Sequence, residues 1–168
     1  ALRAMCHLDI LRLFGPVPAE ATSVLILPYV ETVTKELHRH VNFDGYKARL
    51  IADLENAEGL LKQHLEKQSE IEEDYFKYRT IRMNYYAVKA LKARVYLWAD
   101  NKAEAYREAK AVTAVQEQWF PWTERREIMD NTRNPDRIFS SELLFAAYYN
   151  AREEIFTNYF SPTLEPAQ

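Results

Sequence analysis

The chain has 168 residues, 48% of them hydrophobic and 13% aromatic, which is enough for one domain with a real core. With 22 basic and 25 acidic side chains the formal charge is −3 and the pI is near 5.9, so there is no electrostatic footprint for nucleic acid. No apolar run approaches the roughly 20 residues of a membrane span. Three glycines are too few for a many-turned all-β fold, and one cysteine excludes an internal disulfide or a cysteine-based zinc site.

Residues 1–14 carry a helical pattern from the first position, with no leader before them, so the chain is expected to be an excerpt of a longer protein. Leu2, Cys6, Ile10 and Leu13 line one side of this helix, and Ala4, Leu8 and Leu11 line an adjoining one. That periodicity makes Cys6 a small core residue. Gly15 followed by Pro16 reads as a helix stop, with glycine in a left-handed cap and proline forbidding continuation. Three prolines then punctuate an irregular segment that holds the apolar run Val24-Leu25-Ile26-Leu27 and extended residues around Val30, Thr32 and Val33. Gly45 leads into a second helix over residues 46–64, with Tyr46, Leu50, Leu54, Ala57 and Leu61 on one stripe. Residues 63–80 are acidic and polar and read as a connecting loop.

Residues 84–115 organise the rest. Val88, Leu91, Val95 and Trp98 form one stripe, and Tyr86, Ala90, Ala93 and Leu97 form a second. Lys89 and Lys92 share the polar strip between Tyr85 and Tyr96, which is either a wet helix face or a contact for an acidic partner. A helix apolar around most of its girth must be covered on two sides. The chain breaks at Asp100-Asn101, where Asn101 and Glu104 have capping-box spacing. Ala105, Ala109 and Val112 then give a second helix a face of small side chains. A tight helical hairpin of this kind matches three of the seven tetratricopeptide signature positions, through Ala93, Tyr96 and Ala105. The fold class expected is mainly α: tetratricopeptide-like stacked helical hairpins, long irregular loops and one or two short strands, in a single helical domain over residues 1–168.

Beyond the hairpin lies Trp119-Phe120-Pro121-Trp122, then a charged stretch over 123–137 with no sustained pattern. Residues 138–147 (IFSSELLFAA) read as a strand. The remainder reads as a short helix and an exit segment.

The opening ALRAMCHLDILRLFGPVP resembles the signature of the starch-utilisation-type (SusD/RagB-like) outer-membrane nutrient-binding lipoproteins. Leu27-Pro28-Tyr29-Val30, Asp53-Leu54 followed by Ala57 and Leu61, the helix from Asn84, and Phe139-Ser140-Ser141-Glu142 are similar to that family in order and spacing. The resemblance implies a non-catalytic cell-surface protein that captures a glycan or other nutrient and delivers it to a TonB-dependent (SusC-like) transporter. It also implies an outward-facing location on the outer membrane, which is met only through a lipid anchor outside this excerpt. The alternative is a tetratricopeptide-type adaptor for protein–protein interaction.

No nucleophile elbow, phosphate-cradling glycine loop or Cys-His pair is present, and no motif calls for a cofactor. His38 and His40 could form a metal pair but lack a third ligand; His7 and His64 are isolated. Glu70, Glu72, Glu73 and Asp74 form a charge run without the fixed separation that glycosidic acid/base chemistry requires. Glu142 reads as a carboxylate tied to backbone amides or an arginine. Sugars stack their C–H faces on flat rings, so Trp119, Trp122, Tyr148 and Tyr149, which lie outside the strong helical stripes, are the carbohydrate-binding candidates. The competing account is that they fill seams between helices.

Overall fold

A computed structural model describes residues 1–17, 23–66, 78–129 and 135–160. The protein is mainly helical, with a small two-stranded sheet. In chain order the elements are α1 (Leu2–Phe14), β1 (Leu25–Pro28), β2 (His40–Asn42), α2 (Phe43–Glu66), a 3-10 turn (Arg79–Ile81), α3 (Tyr85–Trp98), α4 (Lys102–Thr113), α5 (Gln116–Trp119), α6 (Arg125–Met129) and α7 (Arg152–Tyr159). Successive long helices pack in order, α1 on α2, α2 on α3 and α3 on α4. β1 and β2 pair antiparallel, Leu25 opposite Asn42 and Pro28 opposite His40, with an irregularity at Ile26.

α2, α3 and α4 each start where a side chain can replace a missing backbone acceptor, whereas α1 begins at Ala1 with no side-chain cap. Asn42 Oδ1 accepts from the Gly45 N–H at 2.9 Å, Asn84 Oδ1 from Ala87 at 3.0 Å, and Asn101 Oδ1 from Glu104 at 3.3 Å. The α2 cap sets the helix start at Phe43, three residues earlier than the stripe alone suggests. A Cβ on Gly45 would lie 3.0 Å from that Asn42 oxygen, so a larger residue there would push the cap back by a few tenths of an ångström. The turn from α3 to α4 is a Schellman motif. Asp100 is left-handed at φ 56°, its N–H bonds to Leu97 O, and the Asn101 N–H reaches Tyr96 O at 2.8 Å. Asn101 therefore ends one helix with its amide and begins the next with its side chain.

The core joins Ala4, Leu8 and Leu11 of α1, Tyr29, then Phe43, Tyr46, Leu50 and Leu54 of α2, and Val88, Leu91 and Val95 of α3. Trp98 is half-buried against it. α3 is thus covered on two sides, by α2 and α4, although Leu97 of its second stripe is exposed and Tyr86, Ala90 and Ala93 are only half-buried.

Several expectations are corrected. In α1 the narrower stripe wins: Ala4, Leu8 and Leu11 point inward, whereas Leu2, Ile10 and Leu13 are exposed. Cys6 is exposed as well, not a core residue. Gly15 is extended, with φ −87° and ψ 165°, not left-handed. Its requirement is space, because a Cβ there would meet Leu11 O at 2.5 Å. In α4, Ala105 and Glu108 are buried while Ala109 is exposed, so the packed face is rotated from the alanine stripe. The capping box at Asn101 is half realised, since the Glu104 carboxylate pairs with Arg107 instead of returning to Asn101. The charged stretch after Thr123 contains α6.

Residues 138–147 are not a strand but a chain of turns. Asp136 accepts from the backbone amides of Ile138 and Ser140 and from the Ser140 hydroxyl, which bends the chain before a ladder can start. Phe139 is left-handed at φ 53°. Of the 63–80 loop reading, residues 63–66 instead continue α2, residues 79–80 belong to the 3-10 turn, and 67–77, with the acidic run at 70–74, lie outside the described residues, as do 161–168.

Candidate functional site

Two buried polar assemblies and one aromatic cleft stand out. The first assembly ties α1 to α2. Arg3 grips Asp53 through Nε at 2.7 Å and Nη2 at 2.5 Å, and the Tyr29 hydroxyl donates to the same carboxylate at 2.6 Å. The hydrogen bonds from Arg3 hold the Asp53 carboxyl below its ordinary range, and burial pushes the Tyr29 hydroxyl up. His7 stacks on Tyr29 with ring centres 4.0 Å apart. The Tyr46 hydroxyl donates to the His7 carbonyl at 2.9 Å, so His7 Nδ1 donates back to Tyr46 at 2.7 Å. Nε2 is then left to accept the Val30 N–H at 3.2 Å.

The second assembly corrects the reading of the α3 polar strip. Lys89 and Lys92 are not a wet face. Glu58 of α2 bonds Lys89 and lies 2.7 Å from Lys92, while Glu108 of α4 lies 2.9 Å from each. Glu108 is 2% exposed and Lys92 is 5% exposed. The Lys89–Glu108 Oε2 contact is one of charge without an aligned hydrogen bond. Burial alone raises both carboxyls, but the two ammonium groups reverse that and leave Glu58 and Glu108 below their ordinary values. Burial likewise lowers Lys89 and Lys92 less than the carboxylates raise them. Four charges summing to zero thus rivet three helices together.

The aromatic cleft lies where the 3-10 turn, the start of α3 and the end of α5 meet. It encloses about 50 Å³, and its lining includes Leu61, Arg79, Arg82, Tyr85, Trp119 and Phe120. The Arg79 guanidinium lies 4.9 Å from the Phe120 ring centre and 5.6 Å from that of Trp119. Its Nη2 donates to the Trp119 carbonyl, and its Nε is buried without a partner. Desolvation holds the guanidinium below its ordinary value. Tyr86 meets Phe120 edge-on at 5.8 Å and Tyr85 at 5.3 Å.

The 138–147 turns are fastened beside this cleft. The Ala146 N–H donates to Thr80 O at 2.6 Å, and Asn84 Nδ2 donates to Leu144 O at 2.7 Å. Glu142, half-buried, accepts from the Thr123 N–H at 2.9 Å, the backbone-amide role its position suggested. A second groove of about 230 Å³ runs between α1 and α3, past Met5, Leu91, Arg94 and Phe145.

Of the four carbohydrate candidates, Trp119 belongs to the cleft. Trp122 and Tyr148 are 70% and 75% exposed, and Tyr149 is 48% exposed. No ring contact joins the four to one another among the described residues. Arg79, Tyr86 and Phe120 were not singled out from the sequence, although two arginines beside an asparagine cap and a Trp-Phe-Pro-Trp run were visible signals. Among the described residues no three His, Cys, Asp or Glu side chains converge as a ligand group.

The architecture defines a mainly helical scaffold with a half-open aromatic cleft at one helix start. The chain matches no known protein family, and no curated protein is significantly similar to it.

Proposed function

We propose that the protein is a non-catalytic, cell-surface nutrient-binding protein of the SusD/RagB type, which captures a glycan and passes it to a TonB-dependent outer-membrane transporter. In that role it sits on the outer face of the outer membrane, held there by a lipid anchor. One observation carries the reading. Four of the five segments that resemble the family meet in one core, the fifth (residues 139–142) lying outside it: the α1 signature contributes Arg3, His7, Leu8 and Leu11, the second segment Tyr29 and Val30, and the third Asp53 and Leu54. The fourth, on α3, closes the same core with Val88 and Leu91.

The adaptor alternative drew on Lys89 and Lys92 as a surface for an acidic partner. Both lysines are neutralised by Glu58 and Glu108, so that surface is not offered. The test is a glycan-panel binding assay on the full chain, followed by Trp119→Ala, Trp122→Ala and Tyr149→Ala. Saturable binding of an oligosaccharide without turnover, weakened at least tenfold by one of these changes, is expected. Absence of saturable binding to every glycan in the panel sinks the reading.

A further inference from the structure

Arginine and lysine taken out of water need a counter-charge, and this protein supplies one almost everywhere. Lys89 and Lys92, largely withdrawn from water, each have two carboxylates. Arg79 is the departure. Among the described residues no carboxylate lies within ion-pair distance of it; its partners are two ring faces and one backbone carbonyl, and its Nε has no acceptor.

Two further features point the same way. The cleft sits at the start of α3, where the first-turn amides of Tyr85 and Tyr86 precede any intrahelical acceptor, while Ala87 is already capped by Asn84. A helix of 14 residues adds partial positive charge at that end. The enclosed volume of about 50 Å³ compares with the roughly 10–15 Å³ that a single water needs, so a carboxylate and the edge of a ring fit. Tyr85 and Trp119 also line the cleft, with Lys89 over the Tyr85 ring and Arg79 over that of Trp119, so one face of each ring is taken within the protein.

We propose that this cleft takes a sugar bearing a carboxylate, a uronate unit of an acidic glycan, with Arg79 as the counter-ion and Tyr85 and Trp119 as stacking surfaces. The proposal rests on the nutrient-binding reading and narrows it to anionic glycans. Because Arg79 Nη2 is already given to the Trp119 carbonyl, its part in the pairing is that of a counter-charge rather than a two-point fork.

The test is a titration of the full chain, followed by calorimetry and by tryptophan fluorescence, with two probes: an oligogalacturonate and the same oligosaccharide with its carboxyls reduced to alcohols. The acidic probe is expected to bind at least tenfold tighter than the reduced one. Arg79→Gln should abolish that preference and Arg79→Lys should keep part of it, with thermal melts reporting whether each variant is folded. If Arg79→Gln fails to fold, the wild-type comparison of the two probes decides alone. Equal binding of both probes overturns the charge assignment while leaving the nutrient-binding reading intact. A polyglutamate peptide that displaces the uronate at lower concentration overturns the sugar assignment. If the folded wild type binds neither of these probes nor any glycan in the wider panel, both readings fall; if it binds only neutral glycans, this one alone falls.

Discussion

The packed region of α2, α3 and α4 and the turn-rich region from Asp136 to Tyr159 use polar groups in opposite ways. In the first, four charged side chains are sealed between helices whose apolar faces exclude water around them. In the second, single side chains such as Asp136 and Glu142 hold backbone amides, and the large apolar residues stay outside: Tyr148, Phe156 and Tyr159 are all more than half exposed. Burial makes the first region rigid and its geometry over-determined. Local hydrogen bonds let the second present aromatic rings on a scaffold it does not itself stabilise. Losses of stability should therefore concentrate in the first region and losses of recognition around the second.

The largest expected effect breaks the charge rivet. Glu108→Ala leaves Lys89 and Lys92 to share Glu58 in a buried site, and it should cost about 3–5 kcal/mol, read as a fall in the urea midpoint. Replacing all four charges together (Glu58→Leu, Lys89→Met, Lys92→Met, Glu108→Leu) should cost far less than that single change, because no charge is left unpaired. Equality of the two would mean that the assembly does not act as a unit. Leu54→Ala, at a fully buried core position, comes next at about 3 kcal/mol from lost contact and the cavity it leaves.

Acid should act on the same region. Glu58, Glu108 and Asp53 are held below their ordinary values by Lys89, Lys92 and Arg3. A depressed folded-state pKa means that the unfolded chain takes up protons first as pH falls. The contribution of these groups is therefore complete above the usual carboxylate range, from about pH 5, and is lost as pH drops through the folded values. The slope is about 1.4 kcal/mol per pH unit for each proton by which the states differ. Thermal melts should fall steadily between about pH 5 and pH 3, and the quadruple replacement should flatten that fall. At the alkaline end the sign is opposite. Tyr46, pushed up to about 12 by burial, keeps its contribution below its ordinary value and loses it as pH rises through the folded one.

How much of this was legible in the sequence follows from where each signal lives. The α2 and α3 stripes were readable because Tyr46, Leu50, Leu54, Val88, Leu91 and Val95 repeat at helical spacing. The α1 face was misread because both of its stripes were apolar, and only the position of α2 decides which one is covered. The lysine rivet was hidden for a related reason. Lys89 and Lys92 look like a wet face until Glu58 and Glu108, distant in sequence, are brought against them. Residues 138–147 alternate like a strand, yet Asp136, two residues before the pattern begins, turns the backbone. Arg79 was invisible as a site because its neighbours Trp119 and Phe120 lie some forty residues away in the chain.

The smallest effect probes the joint between the two regions. Asn84 caps α3 through Oδ1 and reaches across to Leu144 O through Nδ2, so one side chain serves both. Asn84→Asp keeps the acceptor and places a negative charge at a helix start, where the dipole favours it, but it removes the donor. Asn84→Ala removes both and should cost about 1 kcal/mol. Global stability of the aspartate variant should stay near wild type, while the Ala146 amide, held by Thr80 O beside the lost bond, should exchange with solvent faster. If the two variants lose stability equally, the cap contributes nothing and the joint is held by the turn region alone, which would invert the division drawn between scaffold and presented surface.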